Sequence, residues 1–164
     1  MSRKPLPLRG IEELLAYDPD TGSITWMKSA ASDVAGCLDK RNGYRRIKAN
    51  GKLYAAHRIA WYLHTGEDPG LNDVDHINGD RNDNRACNLR LATRSENMKN
   101  TKKRTGSTSN YKGISWDSSR NKWRAEIRIN GKNTRIGRFD TELEAHMAYC
   151  KAAVKHHGEF ANFG

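Results

Sequence analysis

Cysteine is scarce in this 164-residue chain: Cys37, Cys87 and Cys150 are widely spaced and odd in number. That excludes a disulfide scaffold and a zinc ribbon, and it points to a reducing, cytoplasmic setting. Long hydrophobic runs are missing too. No stretch approaches the ~20 apolar residues of a membrane span, so no membrane partner is expected. The opening Met-Ser-Arg-Lys-Pro-Leu-Pro-Leu is too polar and proline-rich to read as a signal peptide. Hydrophobic residues make up only 36% of the chain. Collagen-like and coiled-coil architectures are excluded, which leaves one domain or two small ones with a modest core.

Acidic residues are in short supply against basic ones, 19 Asp/Glu to 29 Lys/Arg, for a formal charge of +10. The surplus is uneven. Residues 1–98 hold 15 Lys/Arg and 13 Asp/Glu, a net of +2, whereas residues 99–164 hold 14 and 6, a net of +8. Basic charge alone is a weak pointer to nucleic acid. Its concentration in the last third marks a module that touches phosphate.

Residues 99–110 are polar throughout and without period, so they read as a basic linker, either along a DNA backbone or as a solvated joint. A first domain then covers 1–98 and a second 111–164. In the first, Ile11 to Leu15 reads as a short helical stretch. Asp18-Pro19-Asp20-Thr21-Gly22 is a turn, and Ser23 to Met27 a strand. Asn50-Gly51 joins Gly43–Ala49 to Lys52–Ala56 as a hairpin, because both turn residues must take positive φ. A helix from about His57 to His64 stops at Gly66, with Ile59, Ala60 and Leu63 facing the core. His57 and His64 read as structural or surface residues.

The densest polar constellation runs from Val74-Asp75-His76-Ile77-Asn78-Gly79-Asp80 to Arg94-Ser95-Glu96-Asn97. Its order is strand, loop, strand (Asn88 to Thr93) and helix, the helix opened by the capping box Thr93-Arg94-Ser95-Glu96. Calcium binding of the EF-hand type fails on Asp80-Arg81-Asn82-Asp83-Asn84, because Arg85 stands where Gly is needed and Leu91 where a bidentate Glu is needed. Zinc fails because Cys87 has no partner at ligand spacing.

Residues 54–100 resemble the HNH nucleases of phages and homing elements, which have a ββα-metal fold. The resemblance rests on Ala56-His57-Arg58-Ile59-Ala60-Trp61, Val74 to Asp80, Asp83-Asn84-Arg85, Asn88-Leu89-Arg90 and Ala92 to Asn97. Tyr17 to Trp26 is similar to the leader of the phage proteins. The third signature position holds Asn97 in place of His, as in the homing-type branch. The resemblance implies His76 as general base, Asn88 as the residue that holds the loop and orients the His76 ring, and Asp75 with Asn97 as metal ligands. Histidine titrates near neutrality and so can accept a proton from water. Oxygen ligands suit a hard cation, one Mg²⁺ or Mn²⁺ per site. Asp75 and His76 point to opposite faces unless the strand ends there. Arg85, Arg90 and Arg94 are candidate phosphate contacts, with ordinary surface roles as the alternative.

In the basic module Asn130-Gly131 joins Lys122–Ile129 to Lys132–Gly137. Trp123, Ala125, Ile127 and Ile129 alternate with Lys122, Arg124, Glu126 and Arg128, and the turn places Arg135 on the charged face and Ile136 on the apolar one. Lys112 to Trp116 adds a third strand. Thr141-Glu142-Leu143-Glu144 opens a helix that ends at Gly158, and Leu143, Met147, Cys150 and Val154 form the stripe expected to cover the sheet. This segment resembles an AP2/ERF-type DNA-binding domain through Tyr111-Lys112-Gly113-Ile114, Trp123 to Arg128, Ile136 to Thr141, Glu144-Ala145, Ala148-Tyr149, Ala152-Ala153 and Asn162-Phe163. It implies DNA contacts from Lys112, Trp116, Lys122, Arg124, Glu126, Arg128, Arg135 and Arg138. Ser115 and Asp117 to Asn121 depart from the family's basic recognition strand, so its target sequence does not transfer.

The expected fold class is therefore α+β: an N-terminal HNH ββα-metal domain, then a three-stranded antiparallel sheet packed on one helix. The expected function is a metal-dependent DNA endonuclease, homing-like, nicking or cutting both strands, with double-stranded DNA as partner and no small-molecule substrate. It would act as a monomer or as a dimer assembled on DNA. The first rival is an AP2-type DNA-binding regulator with an inert HNH segment. An RNA-binding protein is disfavoured because the sheet lacks stacked aromatics.

Overall fold

A computed structural model describes residues 10–28, 34–103 and 106–164. The opening octapeptide and part of the basic linker, Arg104 and Thr105, lie outside the described residues. The chain divides into two compact units, 1–92 and 93–164. The division falls six residues before the 98/99 boundary read from sequence, and the capped helix after Ala92 is grouped with the second unit.

In the first unit, residues 11–14 form a single turn, with Leu14 N and Leu15 N both donating to Ile11 O. The short helix expected there therefore stops at one turn. The chain continues directly into β1 (Leu15–Tyr17), which pairs antiparallel with β2 (Ile24–Trp26). β3 (Cys37–Asp39), not foreseen from sequence, β4 (Tyr44–Ala49) and β5 (Lys52–Ala55) make a meander. Its tight turn is Asn50-Gly51, at φ 48° and 72°. α1 (Ala56–Thr65) follows and stops at Gly66 in the left-handed conformation, φ 76°. Ile47, Tyr54, Ile59 and Ala60 join Ile11, Leu15 and Ile24 in the core.

β6 (Asp73–His76) then pairs antiparallel with β7 (Leu89–Ala92), setting Asp75 opposite Arg90 and His76 opposite Leu89. Val74 and Leu89 anchor this hairpin to the same core, so the polar residues at its end stand on a rigid base.

The second unit opens with α2 (Arg94–Lys99). Both halves of its capping box are made: Glu96 N donates to Thr93 Oγ1, and Thr93 N to Glu96 Oε2. Residues 107–110, read as joint, are tied down: Ser109 is 1% exposed and its hydroxyl donates to Glu142 Oε1 at 2.6 Å. β8 (Ile114–Asp117), β9 (Lys122–Ile129) and β10 (Lys132–Phe139) form the expected antiparallel sheet in the order β10-β9-β8. α3 (Glu142–His157) packs on its apolar face.

α3 is turned differently from the expected stripe. Ala145, Tyr149, Ala153 and His157 are buried against the sheet, whereas Leu143, Met147 and Val154 are exposed and Cys150 is half-buried. The correction has a steric reason. Gly113, at φ 75°, lies under the Tyr149 ring, and a Cβ there would sit 2.5 Å from the ring. A backbone approach this close requires small residues on the packed face, and Ala145 and Ala153 supply them.

Candidate active site and nucleic-acid face

β6 ends at His76, so the strand stops at the pair of residues whose side chains alternation would send to opposite faces. Asp75 is buried against Arg90, which donates to its Oδ2 from Nε (3.0 Å) and Nη2 (2.9 Å). His76, 3% exposed, forms a three-ring cluster with Tyr44 (centroids 5.9 Å apart) and His57 (5.1 Å), which are 5.0 Å from each other. Its Nε2 is 3.2 Å from Asn84 Oδ1. Burial pushes the His76 pKa down, and the hydrogen bond to Asn84 opposes that shift only in part. Burial and the neighbouring imidazole of His76 push His57 down to about 3. Both rings are thus neutral at pH 7. Asn84 Nδ2 donates to Asn82 O, which turns its oxygen to the ring; an amide oxygen only accepts, so the proton of neutral His76 is assigned to Nε2 and the lone pair to Nδ1.

Asn88 closes the loop between β6 and β7. Its Oδ1 accepts from Asn78 N (2.9 Å), its Nδ2 donates to Asp83 O (2.8 Å), and its carbonyl accepts from Ile77 N (2.9 Å). The residue that reaches the His76 ring is Asn84, which the sequence reading did not single out. Asn84 is itself held, its carbonyl accepting from the Tyr17 hydroxyl at 2.8 Å. The turn before β2 presses on the same place: a Cβ on Gly22 would lie 2.5 Å from Arg85 N, and Ala86 N donates to Pro19 O. The leader hairpin is therefore a buttress for the loop that carries Asn84. The only sequence signal for Asn84 was its place in Asp83-Asn84-Arg85, among many other Asn residues.

Of the candidate phosphate contacts, Arg90 is the partner of Asp75, and Arg85 is paired with Asp83 at 2.6 Å, holding that carboxyl down to about 2. Arg94 starts α2. Asn97 also lies on α2, in the second unit, its N–H donating to Thr93 O. Among the described residues no group of three or more His, Cys, Asp or Glu side chains could hold a metal ion. A soft-ligand cage of zinc type is thereby absent from them. The two expected ligands stand in different units, Asp75 in the first and paired with Arg90, Asn97 in the second; each side chain carries an oxygen of the hard kind that suits Mg²⁺.

On the sheet, β9 and β10 pair Ile129 with Lys132, Arg128 with Asn133 and Glu126 with Arg135, the expected register. The register then shifts at Ile136, and Gly137 pairs with Ala125 and Arg138 with Arg124. Simple alternation would have put Arg138 on the apolar face. The bulge turns it onto the charged one, beside Arg124. The polar face thus carries Lys122, Arg124, Glu126, Arg128, Arg135 and Arg138. Arg124 donates to Ser115 Oγ and lies 3.6 Å from Glu126, Arg138 donates to Asp117 Oδ2 at 2.8 Å, and Lys122 is paired with Asp140.

Two predicted contacts stand elsewhere. Trp116 pairs directly with Trp123, edge to face, so it lies at the rim of the face that α3 covers. Lys112 precedes β8 and donates to Lys99 O at 2.7 Å, and burial pushes it down to about 8.

Residues 54–99 match a family model described as HNH endonuclease, and residues 109–159 match one described as AP2 domain. Over 107 residues the chain is 34% identical to "Protein 3.8" of Escherichia phage T7, covering 65% of this chain and 88% of that protein. Over 121 residues it is 32% identical to "Uncharacterized HNH endonuclease L560" of Acanthamoeba polyphaga mimivirus, covering 74% of this chain and 62% of that one. No solved structure matches.

Proposed function

This chain belongs to the HNH endonuclease family and carries an AP2 domain after its HNH segment, and from that premise we propose that it is a metal-dependent endonuclease hydrolysing phosphodiester bonds in double-stranded DNA. The observation that carries this reading is the state of His76. It is a buried, neutral imidazole at the end of a strand, its Nε2 set by Asn84 and the lone pair on Nδ1, next in sequence to a buried carboxylate.

In the proposed reaction His76 takes a proton from water through Nδ1. The water oxygen attacks phosphorus in line, a new P–O bond forms, and the bond to the leaving sugar oxygen breaks with its electron pair going to that oxygen. The alkoxide is protonated from solvent. Asp75 would offer an oxygen to a divalent ion, Mg²⁺ or Mn²⁺, with Asn97 as the second ligand that the family resemblance implies; when bound, the ion supplies Lewis acidity. Asn88 keeps the loop closed so that Asn84 holds the ring. The AP2 sheet supplies DNA affinity through its cations, Arg124, Arg128, Arg135 and Arg138, with Lys122 at the rim.

Incubating the full chain with supercoiled plasmid tests this reading. With Mg²⁺ the plasmid is relaxed or linearised, and with EDTA it is not. A plasmid that is bound but left uncut under Mg²⁺ and Mn²⁺ would overturn the nuclease reading in favour of a DNA-binding regulator.

A further inference from the structure

α3 leaves an apolar stripe uncovered. Leu143, Met147 and Val154 are 57%, 54% and 59% exposed, and Cys150 completes their line on the outer side of the helix. The four residues sit at i, i+4, i+7 and i+11, the spacing of a coiled-coil seam. The sheet does not use them, because the buried face is Ala145, Tyr149, Ala153 and His157.

We propose that this stripe is a self-association seam that takes α3 of a second copy of this chain, antiparallel. The stripe is complementary to itself in that direction. Leu143 meets the partner's Val154, Met147 meets the partner's Cys150, and the two-fold axis repeats both contacts. The flanking charges point the same way. Glu142 and Glu144 lie in the first turn, whereas Lys151 and Lys155 lie toward the other end. An antiparallel pair sets acidic end against basic end, with exposed Glu144 and Lys151 on the same side of the seam, seven residues apart. A parallel pair would align like charges. The helix macrodipoles also favour the antiparallel direction.

Four side chains from each copy are far fewer than the 20–30 residues of a standard interface. The dimer is therefore weak and concentration-dependent, and it is strengthened where two chains lie on one DNA duplex and the second contact becomes local. Such a pair would present two HNH segments to one duplex, so that both strands could be cut without sequential nicking by one chain.

Sedimentation equilibrium of the full chain over a wide concentration range, alone and with a duplex, tests the seam. The expected result is a weight-average mass that climbs above the monomer value with concentration. Met147→Glu places a charge in the seam and should hold the chain monomeric. Lys151→Glu, which leaves the seam apolar, should shift dimerisation to higher concentration. Both positions are exposed or at the rim, and an unchanged melting temperature would certify that the variants fold. A parent that stays monomeric at every concentration, free and on DNA, overturns the proposal, and so does a dimer that persists in Met147→Glu. Mass is read independently of cleavage, so failure here leaves the nuclease reading standing.

Discussion

Asn84 Oδ1 lies 3.2 Å from His76 Nε2, and both side chains are almost completely buried. With Asn84 Nδ2 donating to Asn82 O at 3.3 Å, its Oδ1 faces the ring, which assigns the proton to Nε2 and leaves Nδ1 as the basic atom. One hydrogen bond thus couples the loop Asn78–Asp83, closed by Asn88, to the tautomer of the proposed base.

The first prediction follows from that coupling. His76→Ala should lower plasmid cleavage by roughly 10²–10⁴-fold with DNA affinity nearly unchanged. Asn84→Ala acts only through His76, so it should cost less. Because the two residues work as one unit, Asn84→Ala added to His76→Ala should cost nothing further. Additive losses in this cycle would show that Asn84 acts on something other than His76.

The second concerns the metal. Asp75→Ala should abolish Mg²⁺-stimulated cleavage. It also strips Arg90 of a buried partner, and breaking a buried pair costs about 3–5 kcal/mol. Asp75→Asn keeps the shape and loses the charge, so it separates the two effects: the fold is better retained while the metal dependence is lost. Zn²⁺ should not substitute for Mg²⁺. Cleavage by Asp75→Asn at the parent rate would remove Asp75 from the ligand set.

The third is a pH dependence of stability. His57 has an ordinary pKa near 6.5 when unfolded and is pushed down to about 3 in the fold by burial and by His76. The unfolded chain therefore binds the proton more readily. The contribution of neutral His57 is fully present above about pH 6.5 and is lost as pH falls from there toward 3, by up to about 1.4 kcal/mol per pH unit. Chemical denaturation across this window should follow that slope, and His57→Gln should flatten it. An equal slope in the variant would assign the acid lability to other groups.

The fourth tests the bulge. Arg124 and Arg138 are brought side by side only because the register shifts at Ile136. Arg124→Ala and Arg138→Ala should each reduce the salt dependence of DNA binding by a log–log slope of about 0.9 if each neutralises one phosphate. A loss confined to the preferred sequence would instead mark a base-edge contact, worth about 1–3 kcal/mol. Deleting Ile136 removes the extra residue and keeps Arg138 opposite Arg124 in a regular ladder, so it should preserve the salt slope, as should Trp116→Ala.

Much was legible from sequence because it was local. Turn chemistry placed Asn50-Gly51 and Asn130-Gly131, and capping boxes opened α2 at Thr93 and α3 at Thr141, since each depends on residues within four positions of one another. Alternation placed Arg124, Arg128 and Arg135 on one sheet face. The spacing around Asp75-His76 identified the segment that the HNH family model then matched, residues 54–99. What only the tertiary structure decided depends on distant neighbours. Asn84 gains its place on His76 from the Tyr17 and Gly22 region, more than 60 residues earlier. The bulge at Ile136 breaks the period by which alternation alone would have put Arg138 on the apolar face. The buried face of α3 was set by how closely Gly113 lets Tyr149 approach, and this overrode the more hydrophobic stripe. Hydrophobicity ranks the faces of an isolated helix; steric fit to the partner surface chooses which one is buried.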